Sequence, residues 1–180
     1  MNVLYICTHN RCRSALSEAI TNQLGGSSKK SLNNESEKSS GQSRLIAKSA
    51  GSAPSGQVHP LTLKYLDEAG YSIKGLTSNS WEDQEYMGDF VPDIVITVCD
   101  NAAGEACPLW LGDIPKLHKL HWGLTDPSKD TEDEAVTAEN FRKTIHQIEQ
   151  RVAELINIAA LPDSERLAAL NALANPIHKQ

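Results

Sequence analysis

The chain opens with a short apolar run that leads directly into a polar loop: Val3-Leu4-Tyr5-Ile6-Cys7-Thr8-His9-Asn10-Arg11-Cys12-Arg13-Ser14. The apolar run is suited to a buried β-strand. Beyond the loop, apolar residues recur at helical spacing at Ala15, Leu16, Ala19, Ile20 and Leu24. The loop therefore joins a strand to the N-terminus of a helix. There the first backbone N–H groups lack intrahelical partners and can hold an anion.

Cys7 and Arg13 stand at the two ends of this loop. The pKa of a thiol at a helix N-terminus beside a cation falls from roughly 8.5 to about 3.5–7.5, so we expect Cys7 to be a nucleophilic thiolate. Arg13 would hold two oxygens of a bound anion with its planar guanidinium group. Ser14 would donate its hydroxyl to the Cys7 sulfur. The alternative is that Cys7 is simply a small buried hydrophobic residue.

The rest of the loop supplies the predicted oxyanion-binding surface, which comprises Thr8, His9, Asn10, Arg11, Cys12 and Arg13. Asn10 tolerates a left-handed backbone, which would turn successive N–H groups inward in a loop without glycine. Cys12 lies at the start of the helix, and we interpret it as a packed or backup thiol rather than a catalytic one.

Composition limits the classes of function open to the chain. Its 180 residues suffice for a domain with a sizeable core, and its formal net charge is -6. Without a basic patch it has no means of releasing counterions from a phosphate backbone, so nucleic acid is not an expected partner. No leader and no membrane-length apolar run is evident. We therefore expect a cytoplasmic protein without membrane contact, whose cysteines serve catalysis, redox cycling or metal binding. We also expect a monomer.

Strand and helix patterns alternate along the chain. Further strands are predicted at Leu45–Ala47, Val91–Val98 and Lys116–Leu120, and further helices at Pro60–Ala69 and Glu134–Ala159. This alternation predicts an α/β fold in which helices cover both faces of a parallel sheet.

Two segments fall outside this pattern. The polar stretch 25–42 is typical of a flexible surface insertion within a domain that spans residues 1–159. Residues 160–180 form a C-terminal extension, in which Leu167, Leu170 and Leu173 indicate a short amphipathic helix that packs on its own chain.

Cys7 and Cys99 each close a predicted strand, so both should lie at the edge of the sheet where ligands bind. Cys99 and Cys107 share a segment of small residues that permits rearrangement, and they could form a reversible disulfide. One alternative is that Cys99 packs in its strand while Cys107 is an incidental loop residue. Another is that the two cysteines bind a metal together with His118 and His121. The spacing of these four residues does not match the usual zinc motifs.

Asp126 lies in a loop that follows the fourth predicted strand. An Asp before a Pro often marks only a turn. If the loop folds over Cys7, however, Asp126 could act as a general acid that protonates a departing oxygen.

Together these motifs resemble the arsenate reductases built on the low-molecular-weight protein tyrosine phosphatase fold. The resemblance covers roughly residues 1–159. It rests on four segments: Cys7-Thr8-x-Asn10-x-Cys12-Arg13-Ser14, Ser49-Ala50-Gly51, Ile96-Thr97-Val98-Cys99 through Cys107-Pro108, and His121-Trp122-Gly123-Leu124-x-Asp126-Pro127. The resemblance implies a three-layer sandwich with a four-stranded parallel sheet flanked by helices.

The resemblance also implies arsenate reduction in the service of arsenic detoxification. Cys7 would attack arsenate that is held by Arg13 and the loop amides. Ser14 would stabilise the thiolate, and Asp126 would protonate the departing hydroxyl.

A relay between thiols would complete the implied reaction. Cys99 would attack Cys7, which releases arsenite and forms a disulfide. Cys107 would then attack Cys99, and the resulting disulfide would be presented to an external reductant. Thioredoxin is the expected reductant, with glutathione and glutaredoxin as the alternative, and no bound cofactor is expected.

The chain departs from its relatives at several positions. His9 and Arg11 make the mouth of the loop bulkier and more basic than usual.

Asn10, Glu18 and Ser49 match part of a monovalent cation site that some relatives carry.

Two other functions share the same loop. A phosphatase would use it through a phosphocysteine, although phosphatase relatives carry tyrosine where this chain has Ser128, and hydrolysis has no use for Cys99 and Cys107. An oxyanion or redox sensor would not need Asp126.

Overall fold

The computed structural model describes residues 1–26, 44–104, 109–129 and 132–174. Within these residues, four strands form one parallel sheet in the order β2-β1-β3-β4: β1 (Asn2–Ile6), β2 (Ile46–Ala50), β3 (Ile94–Thr97) and β4 (His118–His121). Seven helices accompany them in the same part of the chain: α1 (Arg13–Gly26), α2 (Pro60–Glu68), α3 (Gln84–Met87), α4 (Asp100–Gly104), α5 (Leu109–Gly112), α6 (Glu134–Ala159) and α7 (Asp163–Ala174).

All four strands are parallel, and β1 and β3 occupy the centre of the sheet. From β1 the chain moves to β2 at one edge, whereas from β3 it moves to β4 at the opposite edge. Leu4 of β1 pairs with Lys48 of β2 on one side and with Val95 of β3 on the other. Connections that leave neighbouring strands in opposite directions open a crevice at their C-terminal ends. Cys7 directly follows β1 and Cys99 follows β3, so both cysteines lie at this point of the sheet.

Helices cover both faces of the sheet, which confirms the predicted three-layer α/β sandwich. Helices α1 and α6 pack against each other, and α2 contacts both of them. The connection from β3 to β4 crosses the sheet in the direction opposite to the connection from β1 to β2. Because parallel crossovers are right-handed, α4 and α5 therefore lie on the face opposite α1. Tyr5 and Phe141 are fully buried in the shared core.

Helix α6 has the predicted bounds, and Phe141, Ile148 and Val152 of its apolar stripe are fully buried. Helix α7 lies in the predicted extension and packs against β4 and α6. Leu170 is buried and Leu173 is partly buried, whereas Leu167 is half exposed. The side chain of Arg166 ties α7 to α6 by donating hydrogen bonds to the carbonyl oxygens of Ala159, the last residue of α6, and of Leu161 in the connector.

Three predicted strands differ in their bounds from the observed ones. The third is shorter than predicted, because Val91 is 57% exposed and backbone hydrogen bonds to β1 begin only at Asp93, whose N–H donates to Asn2 O at 2.9 Å. The second continues to Ala50, and the fourth is shifted toward His121. Most of the predicted insertion, residues 27–42, lies outside the described residues. None of the described helices is long and apolar enough to span a bilayer.

Candidate active site

The loop formed by residues 7–13, called the cradle below, turns its carbonyl groups outward onto a neighbouring segment. Three backbone hydrogen bonds hold it there: Ala53 N to Thr8 O at 2.9 Å, Ser55 N to His9 O at 3.0 Å and His59 N to Arg11 O at 2.9 Å. In a trans peptide unit the carbonyl and the following N–H point in opposite directions. The N–H groups of His9 and Cys12 therefore face the interior of the cradle, as an anion site requires, whereas Asn10 N–H donates to Cys7 O at 3.3 Å.

Asn10 holds the cradle in this conformation. Its φ of 45° lies in the left-handed region, which confirms the prediction, and its side chain is fully buried. The side-chain oxygen accepts a hydrogen bond from Asn79 N at 2.7 Å, and the amide nitrogen donates to Ser14 Oγ at 3.0 Å and Ser49 Oγ at 2.8 Å. Asn10 thus joins the cradle to α1 and β2.

The predicted hydrogen bond from Ser14 to Cys7 is not found among the described residues. The hydroxyl of Ser14 is fully buried and is engaged by Asn10. Ser14 Oγ is the acceptor in this bond, and Asn10 Nδ2 is the donor.

Gly51 allows the close approach on which the cradle depends. A Cβ atom at this position would lie 2.5 Å from Thr8 O and 2.6 Å from Cys7 O, closer than nonbonded atoms can pack. Sequence reasoning did not assign this role to Gly51. A glycine directly after a strand, in Ser49-Ala50-Gly51, is the signal that could have indicated it.

Cys7 and Cys99 lie together beneath the cradle, and both are buried, free thiols. Thr8 Oγ1 lies 3.8 Å from Cys99 Sγ, and Ala102 N donates to the same sulfur at 3.4 Å. A hydrogen bond between the two thiols raises the pKa of Cys7 far above its ordinary value, with burial adding to the effect, and lowers the pKa of Cys99 to about 5. The pair therefore carries one negative charge at neutral pH.

The predicted low pKa of Cys7 is not found for Cys7 itself. Arg13 and the backbone N–H of His9 do favour its thiolate, as predicted, but the neighbouring Cys99 outweighs them. Sequence reasoning predicted that both sulfurs lie at this edge of the sheet. It did not predict that they share a proton.

Arg13 and Asp126 form an ion pair across the site, with Arg13 Nη2 lying 3.4 Å from Asp126 Oδ2. Arg13 Nη1 also donates to Leu124 O at 2.9 Å. This bond holds the loop that carries Asp126 against the start of α1. Arg13 Nε is buried and has no hydrogen-bond partner among the described residues. The structure thus brings the predicted arginine and the predicted acid together.

Ser128 orients the carboxylate of Asp126, a role that sequence reasoning missed. Its backbone N–H and its hydroxyl donate to Asp126 Oδ1 at 3.0 and 2.8 Å. The Asp-Pro-Ser spacing, which is typical of a side-chain-capped turn, is the signal that could have indicated it.

Cys12 is buried behind the cradle, as the packing interpretation predicted. Burial raises the pKa of its thiol to about 11, so the thiol stays protonated at neutral pH. His9 and Arg11 lie exposed at the mouth. Burial and the Arg11 cation lower the pKa of His59, which caps α2 by accepting a hydrogen bond from Leu61 N.

The three residues of the predicted cation site lie together. Ser49 Oγ donates to Glu18 Oε2 at 2.6 Å and accepts from Asn10. Burial raises the pKa of Glu18 to about 7, against the opposing effects of the Ser49 hydrogen bond and the Lys48 cation. Cation binding by these residues stays a prediction.

The remaining candidates are Cys107, a metal site and a further cavity. Cys107 lies outside the described residues. Among the residues that are described, no three His, Cys, Asp or Glu side chains lie close enough to hold a metal ion. A cavity of about 830 Å³, lined in part by Trp81, Phe90 and Ile114, includes none of the cradle residues.

Comparisons with known proteins show which family the chain resembles. The sequence signature of the low molecular weight phosphotyrosine protein phosphatase family matches residues 2–167. An arsenate reductase of Halalkalibacterium halodurans is 32% identical over 154 residues, which cover 83% of this chain and 91% of that protein. A glutaredoxin arsenate reductase of Synechocystis sp. is 27% identical, with coverage of 86% and 95%.

A solved structure shares the fold. The thioredoxin-dependent arsenate reductase of Corynebacterium glutamicum superimposes with a TM-score of 0.57 at 28% identity over 88% of this chain. The match spans only 61% of that longer protein. The chain therefore belongs to the low molecular weight phosphotyrosine protein phosphatase family and, within it, to the group that contains these arsenate reductases.

Proposed function

We propose that this chain reduces arsenate to arsenite and so serves arsenic detoxification. The observation that carries the proposal is the placement of two buried, free thiols at one edge of the sheet: Cys7 begins the cradle, and the Cys99 sulfur lies 3.8 Å from the hydroxyl of the next cradle residue, Thr8. Hydrolysis of a phosphate ester needs one thiolate, whereas the two-electron reduction of arsenate needs two thiols that can form a disulfide. A reducing cytoplasm, which we propose as its compartment, would return both thiols to the reduced state.

Arsenate binding would use donors already present in the site. The inward-facing N–H groups of the cradle and the positive end of α1 favour a tetrahedral anion. The buried Arg13 Nε–H, unpaired among the described residues, supplies a further donor. These donors also suit phosphate, so the cradle alone does not separate the two anions.

The first chemical step joins Cys7 to arsenic. A thiolate at Cys7 forms the S–As bond as an As–O bond breaks, and Asp126 donates a proton so that the oxygen leaves as water. The shared proton of the thiol pair permits this step, since its transfer to Cys99 leaves the thiolate on Cys7.

The second step transfers two electrons to arsenic. Cys99 passes the proton that it accepted in the first step to an oxygen on arsenic and, as a thiolate, forms a bond with the Cys7 sulfur. The S–As bond breaks, and its electron pair stays on arsenic as arsenite is released. The Ala102 N–H and the Thr8 hydroxyl beside Cys99 Sγ would stabilise its thiolate. The two cysteines are oxidised to a disulfide as arsenic is reduced.

The final steps return the enzyme to its starting state. Cys107 would attack Cys99, freeing Cys7, and an external dithiol would reduce the Cys99–Cys107 disulfide. Relatives are named for thioredoxin in one case and glutaredoxin in another, and we propose thioredoxin for this chain.

The experiment is steady-state arsenite production with each reductant, for the parent and for Cys7→Ser, Cys99→Ser and Asn101→Ala. Asn101 is exposed on α4 and serves as the matched control. We expect both cysteine variants to fall to background and the control to match the parent. Parent-like turnover by Cys99→Ser would contradict the relay. Hydrolysis of p-nitrophenyl phosphate faster than arsenate reduction would favour the phosphatase alternative.

A further inference from the structure

A chain of side-chain contacts ties the first residue of α4 to the sheet. Thr97 Oγ1 lies 2.9 Å from His121 Nδ1, and His121 Nε2 lies 3.1 Å from Asp100 Oδ1. A carboxylate only accepts hydrogen bonds, so Nε2 carries a proton and donates it to Asp100. Thr97 and His121 are register partners on β3 and β4. The two strands thus hold the imidazole ring toward α4.

The backbone of Gly123 passes close beside this contact. Its φ is +54°, and a Cβ atom there would lie 3.1 Å from His121 Nε2 and 3.6 Å from Asp100 Oδ1. A Cβ atom would therefore crowd His121 Nε2, the atom that donates to Asp100, and the positive φ also disfavours any other residue. The glycine leaves room for the contact on the surface of the protein.

Asp100 directly follows Cys99, whose thiol is only 3% exposed. Any thiol that attacks Cys99 needs access to its sulfur, which requires α4 to move. Helix α4 has five residues, too few to be stable without tertiary contacts. In the described part of the chain, the Asp100–His121 contact is the one side-chain hydrogen bond between α4 and the sheet.

We propose that His121 is a positioning residue that latches α4 through Asp100 and so controls the access of other thiols to Cys99. With the latch closed, Cys99 stays beside Cys7, where the first disulfide forms. With the latch open, α4 moves away and Cys99 becomes available to the next thiol. The use of the latch in the relay rests on the proposed function, but its control of Cys99 access does not.

The test measures the rate at which N-ethylmaleimide modifies each cysteine of the reduced full-length chain, read by peptide mass spectrometry. The variants are Asp100→Ala, His121→Ala, their combination, and Asp100→Asn. Asn101→Ala, at the next position of the same helix, is the matched control. Circular dichroism checks that each variant folds, which the exposure of Asp100 favours.

We expect Asp100→Ala and His121→Ala each to speed the modification of Cys99 by about threefold, the size typical of an exposed charged pair. The combined variant should be no faster than either single variant, because both remove the same contact. Asp100→Asn keeps an acceptor oxygen and should restore slow modification. Cys12, buried elsewhere, should react at an unchanged rate in every variant.

Two results would overturn the proposal. One is modification of Cys99 in Asp100→Ala at the rate of Asn101→Ala. The other is multiplication of the two single effects in the combined variant, which indicates independent destabilisation. Because alkylation requires no arsenate, failure of the latch and failure of arsenate reduction are distinguishable.

Discussion

The pH dependence of stability should change when the buried carboxyl group of Glu18 is replaced in Glu18→Gln. An unfolded glutamate loses its proton near pH 4.5, whereas burial keeps native Glu18 protonated to about pH 7. Between these values the native state binds more protons than the unfolded state, so its free energy of unfolding falls as pH rises. The stabilising contribution is complete below pH 4.5 and is lost above pH 7.

The size of the effect follows from the two pKa values. The free energy of unfolding falls by about 1.4 kcal/mol for each pH unit between the two pKa values, which amounts to about 3 kcal/mol over the whole interval. Glutamine keeps an acceptor for the Ser49 hydroxyl but cannot ionise. Glu18→Gln should therefore match the parent near pH 4.5 and gain on it by about 3 kcal/mol by pH 8.

The assay is urea unfolding of both proteins at intervals between pH 4.5 and 8. Other titrating groups are common to both proteins and cancel in the difference. Glu68→Gln, which removes an exposed carboxyl group of α2, is the matched control and should follow the parent. Parallel stability curves for Glu18→Gln and the parent would refute the reasoning.

Three further changes probe the site. Gly51→Ala forces a Cβ atom against cradle carbonyl groups, so it should abolish arsenate turnover and lower Tm by about 5 °C. The control Gly112→Ala, where no atom lies within 4 Å of the added Cβ, should leave turnover and Tm unchanged. Ser128→Ala removes one hydrogen bond to Asp126 and should lower kcat about tenfold while phosphate inhibition stays within about twofold; an equal loss in both would contradict a role in acid catalysis. Potassium at the Glu18 site should lower the carboxyl pKa and raise Tm relative to tetramethylammonium at equal ionic strength, and identical melting curves would contradict a cation site.

The sequence predicted the elements whose signals are local. Helix α6 has an apolar stripe at helical spacing throughout its length, and its bounds agree with the prediction. The third strand was predicted too long because Val91 is apolar. Pairing with β1 decides where the ladder begins, and an apolar run does not carry that information.

The features of the candidate site also separate into those with a local sequence signal and those set by contacts between distant segments. The contiguous loop from Cys7 to Arg13 predicted an anion cradle, including the left-handed Asn10, since loop and helix start are adjacent in sequence. The partner of Ser14 and the proton shared with Cys99 depend on contacts between distant segments. No local pattern specifies them.

A single-turnover experiment without reductant tests the central claim most directly. Fully reduced, oxygen-free protein is mixed with arsenate, and arsenite and remaining thiols are measured in the parent and in Cys99→Ser. We expect arsenite equimolar with the parent protein, the loss of two thiols per arsenite and a disulfide that contains Cys99. We also expect no arsenite from Cys99→Ser. Arsenite from Cys99→Ser in parent-like yield, or arsenite without thiol loss, would contradict the account.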